Sequence, residues 1–284
     1  MYYQHSNVIL IFSLLGLCVA CQQTDYNKQP STLLTAHNSD TQTIITTQNV
    51  ASTKEVKAIV PIEASKDHPK SVPILQSTKK YDFPWLGNYD AANMLVNRIA
   101  VPSGYERVSA ASGTFAEWLH HLPLKSGKPD VLLYNGSKKG NQSAHYAVVN
   151  MDVGNKDLQQ CADAVMRLRA EYLYGTEQSQ KIQFNFTNGE KVPFDKWQQG
   201  YTIRIKNDKV QWVASANATS SYTSFKQYLI KVFTYAGTYS LSKELKKVAH
   251  ITDIQAGDVF IQGGFPGHAV IVIDVAQHPH TKEK

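Results

Sequence analysis

Residues 144–175, AHYAVVNMDVGNKDLQQCADAVMRLRAEYLYG, hold two kinds of pattern side by side. From His145 to Val153 apolar and polar residues roughly alternate and several are β-branched, which reads as a strand. From Asp157 to Tyr174 the period changes. Cys161, Ala164, Val165, Leu168 and Tyr172 recur at helical spacing on one face, while Arg167, Arg169 and Glu171 fall off it. Asn155 or Asp157 is the expected N-cap. That start would set Cys161 about one turn inside the helix, where the helix dipole favours a thiolate less.

The same mixture continues in both directions. Toward the N-terminus, Asn88 to Ile99 reads as a helix with Met94, Leu95 and Ile99 inward, broken by Pro102-Ser103-Gly104. Thr114 is placed to cap FAEWLHHL, which Pro123 stops, and VLLYNG (131–136) reads as a strand entering a turn. Toward the C-terminus, KIQFNFTN, YTIRI and VQWVAS are strand-like. SYTSFKQYLIKVFTYAG is a helix with Phe225, Leu229 and Phe233 inward, ended by Gly237, and SLSKELKKV is a shorter one. GDVFIQGGFPGHAVIVIDVA gives two strands around a Gly-Pro turn. Helices and strands mix without a regular βαβ alternation, so the class is α+β, in a single mixed domain.

That domain is expected over 79–284. Between Gln22 and Lys80 the only aromatic residue is Tyr26, whereas aromatics are dense from Tyr81 onward. Residues 21–78, rich in Thr, Ser, Gln and Asn, cannot bury enough apolar surface to offset their ordering entropy, and read as a disordered tether. Residues 1–20 read as a signal peptide. Val8 to Ala20 is a thirteen-residue apolar run, too short for a membrane span, which needs about 20 residues. The run ends Leu17-Cys18-Val19-Ala20-Cys21. This resembles the lipobox of bacterial lipoproteins, which implies lipidation of Cys21 and a chain held in the cell envelope, at the outer membrane facing the periplasm or at the cell surface. Cys18 stands where a lipobox usually has Leu, and no Lys or Arg precedes the run. With the leader removed and Cys21 acylated, Cys161 is the one thiol left.

The chain carries a formal charge of +6, spread rather than clustered. Without a basic helix or zinc-finger spacing, nucleic acid is excluded as a partner. Loose attraction to an anionic envelope polymer is compatible with it.

The segment richest in chemistry is Gly257-Asp258-Val259-Phe260, followed by Gly263-Gly264-Phe265-Pro266-Gly267-His268 and the apolar run to Asp274. A histidine opening a strand after a glycine-rich turn is held rigidly and can act as a general base, with the glycines leaving room for a substrate backbone. The pattern resembles that of papain-like peptidoglycan hydrolases of the NlpC type, in which a Cys early in a helix is activated by such a His. The resemblance implies a papain-like domain with Cys161 as nucleophile and His268, 107 residues later, as base. The usual Ser-Gly pair after the Cys is replaced by Ala162-Asp163. On the residues alone, Cys161 equally fits a core thiol, and His268 a ring bonded to a loop carbonyl. His145 opens a similar segment, and AHYAVVNMDV echoes GHAVIVIDV, so His145 is a further site residue if the two histidines converge. No metal-ligand spacing such as HExxH occurs, and neither metal nor cofactor is expected.

Longer strings carry a second resemblance. FPWLGNYD, FAEWLHHLPLK, AHYAVVNMDVGNKDLQQCADAVMRLRAEYLYG, SYTSFKQYL and GDVFIQGGFPGHAVIVIDVA resemble bacterial proteins grouped as a domain of unknown function, number 4846, over most of Tyr81 to Ala276. Relatives continue past the last strand, which implies a C-terminal truncation here and the loss of a residue that orients the histidine. Two functions fit the sequence. One is a cysteine hydrolase or amidase acting on peptide or amide bonds of peptidoglycan or another envelope polymer. The other is a non-catalytic surface lipoprotein that binds a glycan or an envelope protein through Trp85, Trp118, Trp197 or Trp212, all of which also fit a core.

Overall fold

In the computed structural model, residues 81–215 and 217–284 are described. The expected leader, Cys21 and tether lie outside them.

The core is organised around a helix that is buried on nearly every side. α3 (Cys161–Gly175) buries Ala162, Val165, Met166, Leu168, Ala170 and Leu173, and Arg167 and Glu171 as well. With Arg169 the one exposed residue along it, α3 is a central element rather than a surface one. Arg167 and Glu171, which lie off the apolar face read from the sequence, are buried as well and meet each other and their neighbours. α5 (Tyr222–Tyr235) shows the amphipathic spacing expected of it, with Phe225, Tyr228, Leu229, Val232 and Phe233 buried and Ser221 capping its first turn.

Around these two lie short helices and four antiparallel strand pairs. The helices are α1 (Leu95–Arg98), α2 (Phe115–His120), α4 (Phe194–Gln198) and α6 (Thr238–Glu244). The pairs are β1 (Glu106–Arg107) with β8 (Ala276–Gln277), and β2 (Gln183–Asn185) with β3 (Lys191–Pro193). β4 (Tyr201–Lys206) pairs with β5 (Lys209–Ala214), and β6 (Val259–Gln262) with β7 (His268–Ile271). The α+β class holds. In the β4–β5 hairpin the two turn residues, Asn207 and Asp208, both have positive φ (52° and 55°), the geometry a two-residue hairpin needs and these residue types tolerate.

Three expected elements come out differently. Residues 88–99 are not one helix: a 3-10 turn at Ala91–Asn93 gives way to an extended Met94, which bridges Pro123, before α1 begins. Met94, Leu95 and Ile99 are nonetheless buried as expected. The 145–153 segment forms no strand; its bridge is Leu124 to Val149. Its neighbour is the short stretch around Pro123, and a proline cannot extend a ladder. Residues 131–136 close only a small irregular turn, bridged between Leu132 and Lys138, and leave Leu132, Leu133 and Tyr134 exposed.

A buried ionic node ties the chain's C-terminal part to its N-terminal helices. Asp274 is 0% exposed. Its Oδ2 accepts from Arg107 Nε at 2.8 Å, and its Oδ1 accepts the Val275 backbone N–H at 2.9 Å. His120 Nε2 lies 3.2 Å from Oδ1. Arg107 also donates to the Ile99 carbonyl at 2.6 Å. Burial alone would raise the Asp274 carboxyl, but His120 and Arg107 hold it below its ordinary value. Truncating one member of a buried pair strands the other, at a cost of about 3–5 kcal/mol. Asp274→Ala is expected to lower unfolding stability by about 3 kcal/mol in urea denaturation at neutral pH. A loss within error of zero would show that the node does not hold the two ends together.

Candidate functional site

Cys161 is the first residue of α3, not a residue one turn inside it. The helix starts late because Gln159 sits in the left-handed region (φ 62°) and Gln160 is extended. Gln159 is held there by its own side chain, whose Nε2 donates to the Val153 carbonyl at 2.8 Å and whose Oε1 accepts from Arg167. Arg167 also donates to the backbone carbonyl of Asp152 and pairs with its carboxylate at 3.0 Å. Gln160 N–H is bonded to Asp163 Oδ2 at 3.1 Å. Cys161 itself is half-buried, against the core.

His268 is the first residue of β7, directly across from Gln262, and is half-buried. The β6–β7 hairpin lies on α3: Ala269 and Ile273 are core residues, and Ile261 and Ile271 pack against them. Two sets of contacts fix the hairpin's direction. At its far end, the Gly257 N–H bonds the Val272 carbonyl at 2.7 Å, and Gly257 backs onto Phe115, whose ring packs on Tyr172 near the end of α3. At its near end, Thr238 Oγ1 donates to the Gly264 carbonyl at 3.1 Å. Thr238 opens α6, which follows α5, and α5 runs antiparallel to α3. Tyr222 donates to Glu171 at 2.8 Å at one end of α5, and Phe233 shares a cavity with Leu158 and Gln159 at the other. Cys161 and His268 therefore occupy the same end of the helix–hairpin unit. Strand alternation sets the His268 ring on the face opposite Ala269, beside Gln262.

The glycine turn has a different purpose from the one expected. A Cβ on Gly263 would strike Ser242 Oγ, and one on Gly267 would strike Thr238 Oγ1 and the Gly264 carbonyl. These two glycines let α6 approach the turn rather than keeping space for a substrate. At Gly264, with φ 136°, a Cβ would make only an ordinary contact, 4.0 Å from the Pro266 carbonyl. Phe265, at the tip, is 87% exposed.

The model of a family described as "Domain of unknown function (4846)" matches residues 95–284. The chain belongs to this family. No curated protein and no solved structure matches it.

Within this family-4846 domain the other expected site residues separate. His145 is 4% exposed, with Nε2 2.9 Å from the Pro129 carbonyl, and ties down the loop before it. Trp118 and Trp197 are core residues. Trp85 is half-buried and donates to the Asn150 carbonyl at 2.8 Å, while Trp212 is half-buried beneath the Lys196 ammonium, 5.1 Å from its ring. Among the described residues no group of three His, Cys, Asp or Glu side chains is placed to hold a metal.

Two buried acids flank the start and the end of α3, and sequence reasoning assigned neither a role. Burial pushes the Glu171 carboxyl up to about 7 over the opposing pull of Arg167 and Tyr222. The i,i+4 spacing of Arg167 and Glu171 was the one signal that they pair. Burial also pushes Asp163, two residues after Cys161, up to about 7, against the backbone N–H groups of Gln160 and Gln159 that favour its ionised form. A carboxyl raised in this way favours the fold while protonated, and that contribution is lost as pH rises through about 7. Asp163→Asn keeps an acceptor for Gln160 and removes the charge. The variant is expected to have a higher melting temperature than the parent at pH 8, with the gap closing at pH 5. A gap that does not change with pH would show Asp163 to be ionised throughout.

Proposed function

We propose that this chain is a lipid-anchored envelope protein whose globular domain is a cysteine hydrolase or amidase, cutting peptide or amide bonds of an envelope polymer such as peptidoglycan. One observation carries the reading: Cys161 opens α3, and the strand led by His268 lies along that helix with its first residue at the same end. Backbone N–H groups and the dipole at a helix start favour an anion, which is what a nucleophilic sulfur becomes.

The chemistry balances with these two residues and water. His268 takes the thiol proton and the sulfur adds to the carbonyl carbon. The C–N bond then breaks, and the amine leaves with the proton from the imidazolium. Water, deprotonated by the same ring, hydrolyses the thioester and regenerates the thiol. The proton transfer requires the His268 ring, at the turn end of the hairpin, to meet the Cys161 sulfur. Such contacts commonly tighten only when substrate is bound. His145, bonded at Pro129, has a positioning role for its loop in this scheme.

Two outcomes are expected. In the mature chain, iodoacetamide alkylates Cys161 at neutral pH, and His268→Ala slows both this and amine release from peptidoglycan fragments, the latter by about a hundredfold or more. Equal alkylation of the two proteins, with no product from the parent, would sink the hydrolase reading. For the anchor, Cys21→Ser is expected to move the protein from the membrane fraction to the soluble one and to abolish incorporation of labelled palmitate. Unchanged fractionation would reject Cys21 as the lipidated residue.

A further inference from the structure

An open cavity of about 520 Å³ lies between the β4–β5 hairpin and the first three turns of α5. That volume is within the range of small-molecule sites. Its floor is fixed. The Trp197 indole N–H donates to Ser224 Oγ at 2.9 Å, and Ser221 Oγ accepts the Ser224 N–H as the cap of α5. Gly200 accepts from the Ser215 N–H at 3.0 Å, which joins the end of α4 to the end of β5.

The wall above this floor has an uneven chemistry. Lys156 and Lys231 both line it, and no Asp or Glu is among its described lining residues. Thr202, Ser215, Asn217, Thr223 and Gln227 add hydroxyl and amide groups. None of these five side chains, nor either ammonium group, makes a hydrogen bond or ion pair within the described residues. Two neighbouring lysines do have partners: Lys226 lies 3.9 Å from Asp152, and Lys196 covers Tyr201 and Trp212. The cavity thus collects uncommitted donors and two positive charges without a counter-charge.

We propose that this cavity binds a hydroxyl-rich anion, a sugar bearing a carboxylate or a phosphate. The two ammonium groups act as point charges for the acid function. The hydroxyls and amides, able both to donate and to accept, suit the vicinal hydroxyls of a sugar ring. The exposed face of Tyr201 supplies an apolar wall for the ring. A neutral sugar would leave both charges unanswered. The site shares no residue with Cys161 or His268 and stands whether or not the domain is a hydrolase.

The test is titration calorimetry on the mature chain with three probes: trigalacturonate, glucose 6-phosphate and the neutral N-acetylglucosamine trimer. At least one charged probe is expected to bind, more weakly at higher salt. The neutral trimer is expected to bind at least about tenfold more weakly. Lys156→Gln with Lys231→Gln is expected to weaken the charged probe by about tenfold or more without changing the melting temperature. Thr223→Val is expected to weaken it by less. Binding of one charged probe alone supports the proposal and assigns the acid function. Three results would overturn it: no charged probe binding at about 10 mM, a neutral trimer binding equally well, or affinity indifferent to the lysine pair.

Discussion

A guanidinium inside a central helix sets the terms for much of this domain. Arg167 is 2% exposed, and a buried charge must be answered on every side. Its answers come from four places: the Asp152 backbone and carboxylate, the Gln159 amide, and Glu171 one turn further along the helix. Glu171 in turn accepts from Tyr222, the first residue of α5. One side chain thus pins the 152–159 loop, delays the start of α3 and docks a second helix. The position of Cys161 at the helix terminus follows from it. With Gln159 held at positive φ, helical geometry can begin only after Gln160.

This dependence explains which parts of the fold were legible in the sequence. Local devices could be read directly. Thr114 caps α2 by accepting the Glu117 N–H, the spacing of α5 marks its buried face, and the hairpins fall where strands and turn residues predict. What could not be read was set at a distance. The start of α3 depends on a bond between residues 159 and 167, the break at Met94 on a bridge to Pro123, and the burial of Glu171 on helix α5. The 145–153 segment has the composition of a strand and buries Ala147, Val149 and Met151, yet it lacks a neighbour long enough to make it one. Of the site, Cys161 and His268 were visible as residue types in order. Their shared end of the domain was not, since it rests on how α5, α6 and Phe115 pack.

The likeness between AHYAVVNMDV and GHAVIVIDV takes on a physical meaning in the structure, though not through the histidines. His145 is sealed against a loop carbonyl and His268 stands at a hairpin mouth. The aspartates near the ends of the two segments do parallel work. Asp152 holds Arg167 and Asp274 holds Arg107, and each pair fastens its segment to a distant element. Asp274 is enclosed completely and Asp152 is half exposed. The first pair is therefore more open to screening by salt than the second.

The connection from α5 through Gly237 to α6 can also be read as a mechanical linkage. The N-terminal half of α5 lines the polar cavity, and its C-terminal end leads within two residues to Thr238. Thr238 and Ser242 press on Gly267 and Gly263, at distances that leave no room even for a methyl group. The turn that carries His268 is therefore packed directly on α6, and α6 is joined to the helix that lines the cavity, so a side chain added at Gly263 or Gly267 would force the turn and α6 apart.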